Sequence, residues 1–97
     1  MTDLSSLFEK SHRILVTGGA GFIGGALVRR LIRDTSALVF NLDKCGYSSD
    51  LSGIDALLMD LGPTAAARHQ LLRVDLVNAD ATAVAIEKAN PDLVLHL

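Results

Sequence analysis

The sequence predicts an α/β fold with a parallel sheet, and three features of its 97 residues support this prediction. Four short apolar runs alternate with segments in which apolar residues recur at helical spacing. Apolar residues make up 49% of the chain, which suits strands that are covered on both faces. The connections are short, so consecutive strands are expected to be joined through helices by right-handed crossovers. The expected order along the chain is β-α-β-α-β-α-β.

The first strand is predicted at Arg13–Val16, where consecutive apolar residues end abruptly in glycines. A helix is predicted at Phe22–Arg33, because apolar residues recur there at the spacing of one helical face. The apolar stripe of this helix is expected to consist of Phe22, Ile23, Ala26, Leu27 and Leu31.

A second strand is predicted at Ala37–Leu42, followed by a polar loop at Asp43–Asp50. The next helix has leucine and isoleucine residues at helical spacing and is stopped by Gly62 and Pro63. The segment Thr64–His69 is compatible with a helix, because of its alanines, and with a lead into the next strand.

The last helix of the chain can be capped by Asn78 or Asp80, since both side chains can accept a hydrogen bond from a free backbone N–H. It is expected to end at Asn90, because Pro91 cannot continue a helix.

The two strands on either side of that helix are predicted at Leu71–Val74, ending at Asp75, and at Leu93–Leu97. The final strand is followed by no covering helix and leaves an open sheet edge. We therefore expect the sequence to be the N-terminal piece of a longer protein.

Three spaced glycines, Gly18, Gly21 and Gly24, form a G-x-x-G-x-x-G pattern between the first strand and its helix. Gly18 allows the backbone to leave the strand in a conformation that a side chain would obstruct. Gly21 leaves room for a pyrophosphate, and Gly24 allows close packing of the helix on the strand. The free N–H groups at the helix start favour an anion. The pattern predicts a dinucleotide-binding turn.

Asp43 strengthens this interpretation, because it follows the second strand and lies 19 positions after Gly24. A carboxylate at this distance is typical of the residue that binds the adenosine ribose of a dinucleotide. The alternative is a structural turn accompanied by a surface aspartate.

The predicted sheet has the strand order 3-2-1-4, which places the glycines at its centre, near the switch point. This arrangement is Rossmann-like and incomplete. Residues 1–12 are expected to form an N-terminal arm, and residues 13–97 the N-terminal portion of a nucleotide-binding Rossmann domain.

Composition excludes several other classes of protein. The formal net charge of −2 gives no electrostatic basis for binding nucleic acid, and no apolar run approaches membrane-spanning length. His12, His69 and His96 lack metal-ligand spacing, so no metal site is expected. Cys45 is the only cysteine, which excludes an internal disulfide and favours a reducing cytoplasm.

The segment Thr17–Gly24, Thr-Gly-Gly-Ala-Gly-Phe-Ile-Gly, resembles the cofactor motif of the extended short-chain dehydrogenases/reductases, the NAD-dependent epimerase/dehydratase superfamily. Within this superfamily the sequence most resembles the dTDP-glucose 4,6-dehydratases. Asn41-Leu42-Asp43-Lys44 with Tyr47, Arg73-Val74-Asp75-Leu76, and Pro91-Asp92-Leu93-Val94-Leu95-His96-Leu97 carry this finer resemblance.

The resemblance implies NAD as the cofactor and assigns a role to individual residues. The glycine segment would hold the pyrophosphate, Asp43 the ribose hydroxyls, and Asp75 with Leu76 the adenine ring. Lys44 and Tyr47 would line the same pocket. Asp75 as a plain strand-end residue and Tyr47 as a solvent-facing residue are the alternatives. The full set of expected cofactor contacts is Gly18, Gly21, Phe22, Ile23, Gly24, Asp43, Lys44, Tyr47, Asp75 and Leu76.

For activity, the resemblance implies oxidation of a nucleotide sugar at C4, loss of water across C5–C6 and return of hydride to C6. A 4-epimerase or decarboxylase of the same superfamily is the alternative, and the full-length family is expected to form homodimers. The catalytic Tyr-x-x-x-Lys is absent, since Tyr47 is followed four residues later by Leu51. These 97 residues alone are therefore expected to be non-catalytic, and at most to bind a dinucleotide or dock on a partner.

Overall fold

The computed structural model of the protein describes residues 12–46 and 50–97. Tyr47 and all but the last residue of the predicted N-terminal arm, residues 1–12, lie outside the described residues. Strands and helices alternate as predicted, with one additional short helix. The elements are β1 (Arg13–Thr17), α1 (Phe22–Asp34), β2 (Leu38–Asp43), α2 (Ser52–Leu61), α3 (Pro63–Ala66), β3 (His69–Arg73), α4 (Ala79–Ala89) and β4 (Leu93–His96).

The four strands form one parallel sheet in the order β3-β2-β1-β4, which confirms the predicted topology. Val16 of β1 lies opposite Asn41 of β2 and Leu95 of β4. Because β1 is an inner strand, the turn that follows it emerges between the ends of β2 and β4. The sheet therefore places the glycine-rich segment at the centre of its carboxyl edge.

Each face of the sheet is covered by a separate hydrophobic cluster. On one face, Ile14, Val16 and Val39 pack with residues of α1 and α2. On the other face, Leu15 and Phe40 pack with alanines of α4. Alternate residues of β1 therefore enter opposite clusters, as expected for a strand that is buried on both sides.

The predicted apolar stripe of α1 is wrong at Phe22, Ile23 and Ala26, which are all exposed. Phe22 is 95% exposed and Ile23 is 72% exposed, whereas Gly24 and Gly25 are buried. The helix turns its glycine face toward the turn and the sheet, because only residues without side chains permit so close an approach. Further along, the buried residues of α1 are Val28, Leu31 and Ile32.

The predicted bounds of β3 are also corrected, because the strand starts at His69 and ends at Arg73 rather than spanning Leu71–Val74. Pairing with β2 sets these limits, since His69 lies opposite Val39 and Arg73 lies opposite Asp43. Pairing with β2 therefore extends the strand to include two polar residues, His69 and Gln70. The segment Thr64–His69, which was compatible with a helix and with a lead into the strand, contains the end of α3, a two-residue turn and the first residue of β3.

Gly62 and Pro63 end α2 as predicted and also begin α3. Gly62 has a φ of +97° and its N–H donates to the carbonyl of Leu58. Pro63 occupies the first turn of α3, where its missing N–H leaves no hydrogen bond unmade.

The start of β1 is tied to the segment before β4 by one carboxylate. Asp92 accepts hydrogen bonds from the backbone N–H groups of His12 and Arg13, at 2.9 and 3.1 Å. These bonds hold the pKa of Asp92 below its ordinary value of 3.8. The contact fixes the first and last strands against each other at the edge opposite the glycines.

Candidate functional site

The glycine turn (Gly18–Gly21) connects β1 to α1 and has a conformation that requires glycine. Gly18 has a φ of +74°, in the left-handed region that favours this residue. Its N–H donates to the Leu42 carbonyl at 2.8 Å, and its carbonyl accepts from the Gly21 N–H at 3.1 Å. The turn is thus attached to the end of β2 and closed on itself.

Space around the glycines distinguishes their roles. A Cβ on Gly24 would overlap the Gly18 carbonyl, and a Cβ on Gly19 would overlap the amide of Asn41. A Cβ on Gly21 would meet only the Gly18 oxygen, at 3.4 Å. The protein itself therefore demands glycine at 19 and 24, whereas the space beside Gly21 is open to a ligand.

The N-terminus of α1 has no side-chain cap among the residues that the structure describes. Gly21 is the N-cap residue in an extended conformation, and the first turn has no acidic residue. The backbone N–H groups at this end and the positive end of the helix dipole consequently remain available to an anion.

Asp43, the last residue of β2, directs its carboxylate at the glycine turn. One oxygen, Oδ2, accepts the Ala20 N–H at 3.0 Å, and Oδ1 accepts the Cys45 N–H at 2.7 Å. Cys45 has a left-handed φ of 55°, which turns the chain away from the strand. Asp43 is half-buried, so its carboxylate braces the turn and still faces the pocket described next.

A pocket of about 230 Å³ lies at the carboxyl ends of the strands. It brings together five of the predicted contact residues from the ends of β1, β2 and β3. The lining consists of Gly18, Leu42, Asp43, Lys44, Val74, Asp75, Leu76 and Leu97.

Asp75 lies on the side of this pocket formed by the connection after β3. Its Oδ1 accepts the Val77 N–H at 3.1 Å, and its carbonyl accepts the Asn78 N–H at 2.9 Å. These two bonds form a tight turn that leads into α4 and orients Asp75. Asp75 and Asp43 thus line the same pocket.

Four of the other predicted contacts lie outside the pocket lining. Gly21 and Gly24 belong to the turn and the first turn of α1, and the exposed side chains of Phe22 and Ile23 project from the same end of the helix. Tyr47 falls outside the described residues.

The loop after β2 returns to the glycine turn at Asp50. Its N–H donates to the carbonyl of Ala20 at 2.8 Å, and its Oδ1 accepts the Ser52 N–H at 2.9 Å. Hydrogen bonds from Ser52, together with the nearby charge of Arg29, hold the pKa of Asp50 below its ordinary value. Ala20 is therefore held by Asp43 through its N–H and by Asp50 through its carbonyl.

Thr17 joins the turn to the end of β4. Its hydroxyl lies 2.7 Å from Nδ1 of His96 and accepts the Leu97 N–H at 3.1 Å. Since Thr17 immediately precedes Gly18, these bonds fix the point at which the turn begins.

Sequence reasoning assigned no role to Asn41 and Gly19, which contact each other beneath the turn. Asn41 is fully buried, and neither polar atom of its side chain has a hydrogen-bond partner in the described part of the chain. The feature of the sequence that could have indicated Asn41 is the presence of a polar amide within the otherwise apolar run of β2.

Neither a metal site nor a membrane span is found in residues 12–46 and 50–97. No group of three or more His, Cys, Asp or Glu side chains there could hold a metal ion. No helix within the same ranges is long and apolar enough to cross a membrane.

The topology and the central glycine turn define a Rossmann-like fold, and similar proteins share it. A solved structure of dTDP-glucose 4,6-dehydratase from Bacillus anthracis, in complex with NAD, matches with a TM-score of 0.70 at 22% identity. The match covers 87% of this chain and 26% of that chain. At this identity the likeness establishes the fold.

Residues 14–97 match the model of the NAD dependent epimerase/dehydratase family. The chain belongs to this family. A probable dTDP-glucose 4,6-dehydratase from Sinorhizobium fredii is 44% identical over 86 residues, or 88% of this chain. The dTDP-glucose 4,6-dehydratase of Neisseria gonorrhoeae is 38% identical over 89 residues, or 92% of this chain. The chain spans 22% and 24% of the length of these two relatives, in their N-terminal part.

Proposed function

We propose that the chain forms the NAD-binding part of a nucleotide-sugar 4,6-dehydratase. The observation that carries this proposal is the carboxylate of Asp43, which faces both the uncapped glycine turn and the pocket at the strand ends. A carboxylate at this place accepts ribose hydroxyls, while a helix N-terminus without its own cap accepts a diphosphate. The two features together match the two ends of an adenosine diphosphate group.

The described residues fit such a group. The open space at Gly21 admits the diphosphate, and the N–H groups at the start of α1 bind it. Asp43 accepts the ribose hydroxyls with lone pairs that its two backbone bonds leave unused. Asp75 accepts the exocyclic amine of adenine, and Leu76 packs on the ring. Lys44, Phe22 and Ile23 complete the contacts proposed from the sequence, together with Tyr47.

Asp43 also favours NAD over NADP. A second phosphate on the ribose would meet the carboxylate, and the like charges would repel each other at close range. Lys44 is exposed beside Asp43, and the adjacent cation offsets part of this repulsion. We therefore propose a moderate preference for NAD.

When bound, NAD supplies hydride chemistry, and the contribution of this chain is to hold and orient it. The substrate proposed for the whole protein is a nucleotide sugar, in a homodimer located in the cytoplasm. The dehydratase is favoured over a 4-epimerase or decarboxylase, because the two relatives described above have the dehydratase name. The sequence has no Tyr-x-x-x-Lys, so we propose binding without turnover for these 97 residues.

The proposal is tested by titrating the chain with NADH and NADPH while following nicotinamide fluorescence, with ADP as a competitor. We expect NADH to bind about tenfold more tightly than NADPH, which corresponds to about 1.4 kcal/mol. Asp43→Asn should narrow this difference, since it removes the charge and keeps a side chain of the same shape. Asp60→Asn, at an exposed position on α2, is the matched control. Equal affinities in the unaltered chain, or no binding, would contradict the proposal.

A further inference from the structure

Asn41 is the most unusual polar residue of the described core. It lies within β2, between Val16 of β1 and Leu71 of β3, and its exposure is 0%. Its Oδ1 and Nδ2 both lack hydrogen-bond partners among the described residues. Burial of an amide without partners destabilises a protein, and such groups are rare in folded proteins. A residue retained at this cost calls for a role that the free protein does not reveal.

The position of the amide indicates where that role lies. A Cβ on Gly19 would overlap Oδ1 of Asn41 and lie 2.9 Å from its Nδ2, so the amide fills the space directly beneath the glycine turn. Asn41 and Asp43 are two residues apart and therefore point to the same side of β2. Asp43 contacts the next residue of the turn, at the Ala20 N–H. Two side chains of β2 thus contact consecutive residues of the turn, Gly19 and Ala20.

We propose that Asn41 is a positioning residue for the anion that binds at the glycine turn. When a diphosphate occupies the N–H groups at the start of α1, the amide of Asn41 hydrogen-bonds to the backbone of Gly18–Ala20. Ligand binding thereby supplies the partners that the free protein lacks. This inference rests on the proposed function, because it requires that a diphosphate binds at this turn.

The energetic basis is a difference between two states. A ligand shifts a conformational equilibrium only through interactions that differ between its states. In the free protein the amide is desolvated and unpaired, whereas in the bound protein it is desolvated and paired. The pairing therefore contributes to affinity for the diphosphate. An apolar residue of the same shape should therefore raise the stability of the free protein and lower its affinity for the diphosphate.

Asn41→Leu provides the first test, because leucine has the same branched arrangement of side-chain heavy atoms and no polar atoms. We expect the variant to resist urea better than the unaltered chain and to bind ADP about tenfold more weakly. A merely structural asparagine would lose stability in the same variant. Asn78→Ala is the matched control, since Asn78 is an exposed asparagine whose side chain already accepts the Ala81 N–H of α4. It should leave ADP affinity unchanged.

The second test uses the unaltered chain and so does not depend on how the variant folds. In ¹H–¹⁵N spectra, the side-chain NH₂ signals of Asn41 should shift and exchange more slowly as ADP is added. No binding of ADP to the unaltered chain would overturn the proposed function. Binding of ADP with unmoved Asn41 signals, or equal ADP affinity in Asn41→Leu, would overturn this inference alone.

Discussion

The two helices α1 and α4 begin in opposite ways, although both follow a strand of the same sheet. At α4, the side chain of Asn78 accepts the Ala81 N–H at 3.0 Å, and Asp80 places a carboxylate in the first turn. At α1, Gly21 provides no side-chain cap within the described part of the chain, and the first turn has no acidic residue. One helix satisfies a free N–H group with its own side-chain cap, and the other has no such cap.

Under the proposed function, this difference separates a purely structural helix start from one that binds an anion. A side-chain cap contributes about 1 kcal/mol relative to alanine and a few tenths relative to glycine, so its omission at Gly21 has a small cost. The omission at α1 coincides with the pocket, with Asp43 and with the unpaired amide of Asn41. At α4 the residues before the helix instead form a tight turn closed by Asp75.

The largest effect is expected where α1 meets the turn. Gly24→Ala should destabilise the protein by about 3 kcal/mol, because the new methyl group overlaps the Gly18 carbonyl and the backbone must shift. Gly25→Ala is the control, since its methyl group would lie 3.5 Å from the nearest oxygen and 3.6 Å from Arg29 Nη1. The measurement is urea unfolding followed by circular dichroism. Equal stability of the two variants would contradict the packing described at Gly24.

A second change would make α1 begin like α4. Gly21→Asp supplies a cap and a negative charge at a position whose extended φ of −80° suits any residue. We expect a gain in stability of about 0.5 kcal/mol and a loss of ADP affinity of about 100-fold, or 2.7 kcal/mol. Gly21→Asn, which caps without charge, should weaken ADP less. Calorimetric titration and thermal unfolding measure the two effects. Unchanged ADP affinity in Gly21→Asp would contradict the proposal that an anion binds at this helix end.

The reverse change at α4 should affect stability alone. Asn78→Ala removes the acceptor for the Ala81 N–H and should cost about 1 kcal/mol of unfolding free energy. Asn78→Ser, which restores a side-chain oxygen, should recover most of this loss. The comparison of the helices would fail if Asn78→Ala weakened ADP binding as strongly as Gly21→Asp.

The smallest expected effect is a pH dependence that arises away from both helix starts. Burial lowers the pKa of His69 below its ordinary value of 6.5, against an opposing effect of Asp55, and its Nε2 has no partner among the described residues. The unfolded chain then takes up a proton more readily than the folded one, so stability should fall as pH drops through 6.5. Urea unfolding between pH 7.5 and about 5.5 measures this loss. His69→Gln should reduce it, and an unchanged pH profile would exclude His69 as its source.

The strand order was predictable because it depends on features that a sequence displays directly. Short apolar runs, glycines and a proline mark the ends of elements, and short crossovers permit few arrangements of a parallel sheet. The orientation of α1 was not predictable in the same way. Hydropathy predicted that Phe22 faces the core. The helix approaches the Gly18 carbonyl so closely that only a glycine fits there, so Gly24 faces inward and Phe22 faces solvent.

The residues of the candidate site likewise differ in whether the sequence could predict them. Asp43 could be assigned from its spacing after the glycines, and the structure places its carboxylate against the turn. Asn41 could not, because the role proposed for it depends on a contact with Gly19 that no local pattern encodes. The start of β3 at His69 likewise depends on its pairing with Val39, a partner 30 positions earlier.

The hydroxyl of Thr17 couples the glycine turn to the tautomer of His96. The Thr17 oxygen accepts the Leu97 N–H and lies 2.7 Å from Nδ1 of His96. A hydroxyl has one hydrogen and two lone pairs, so Thr17 donates to Nδ1 in the Nε2–H tautomer and accepts from Nδ1 in the other. The outer nitrogen, Nε2, is a donor in the first case and an acceptor in the second. A group that pairs with Nε2 therefore also sets the orientation of the hydroxyl immediately before the glycine turn.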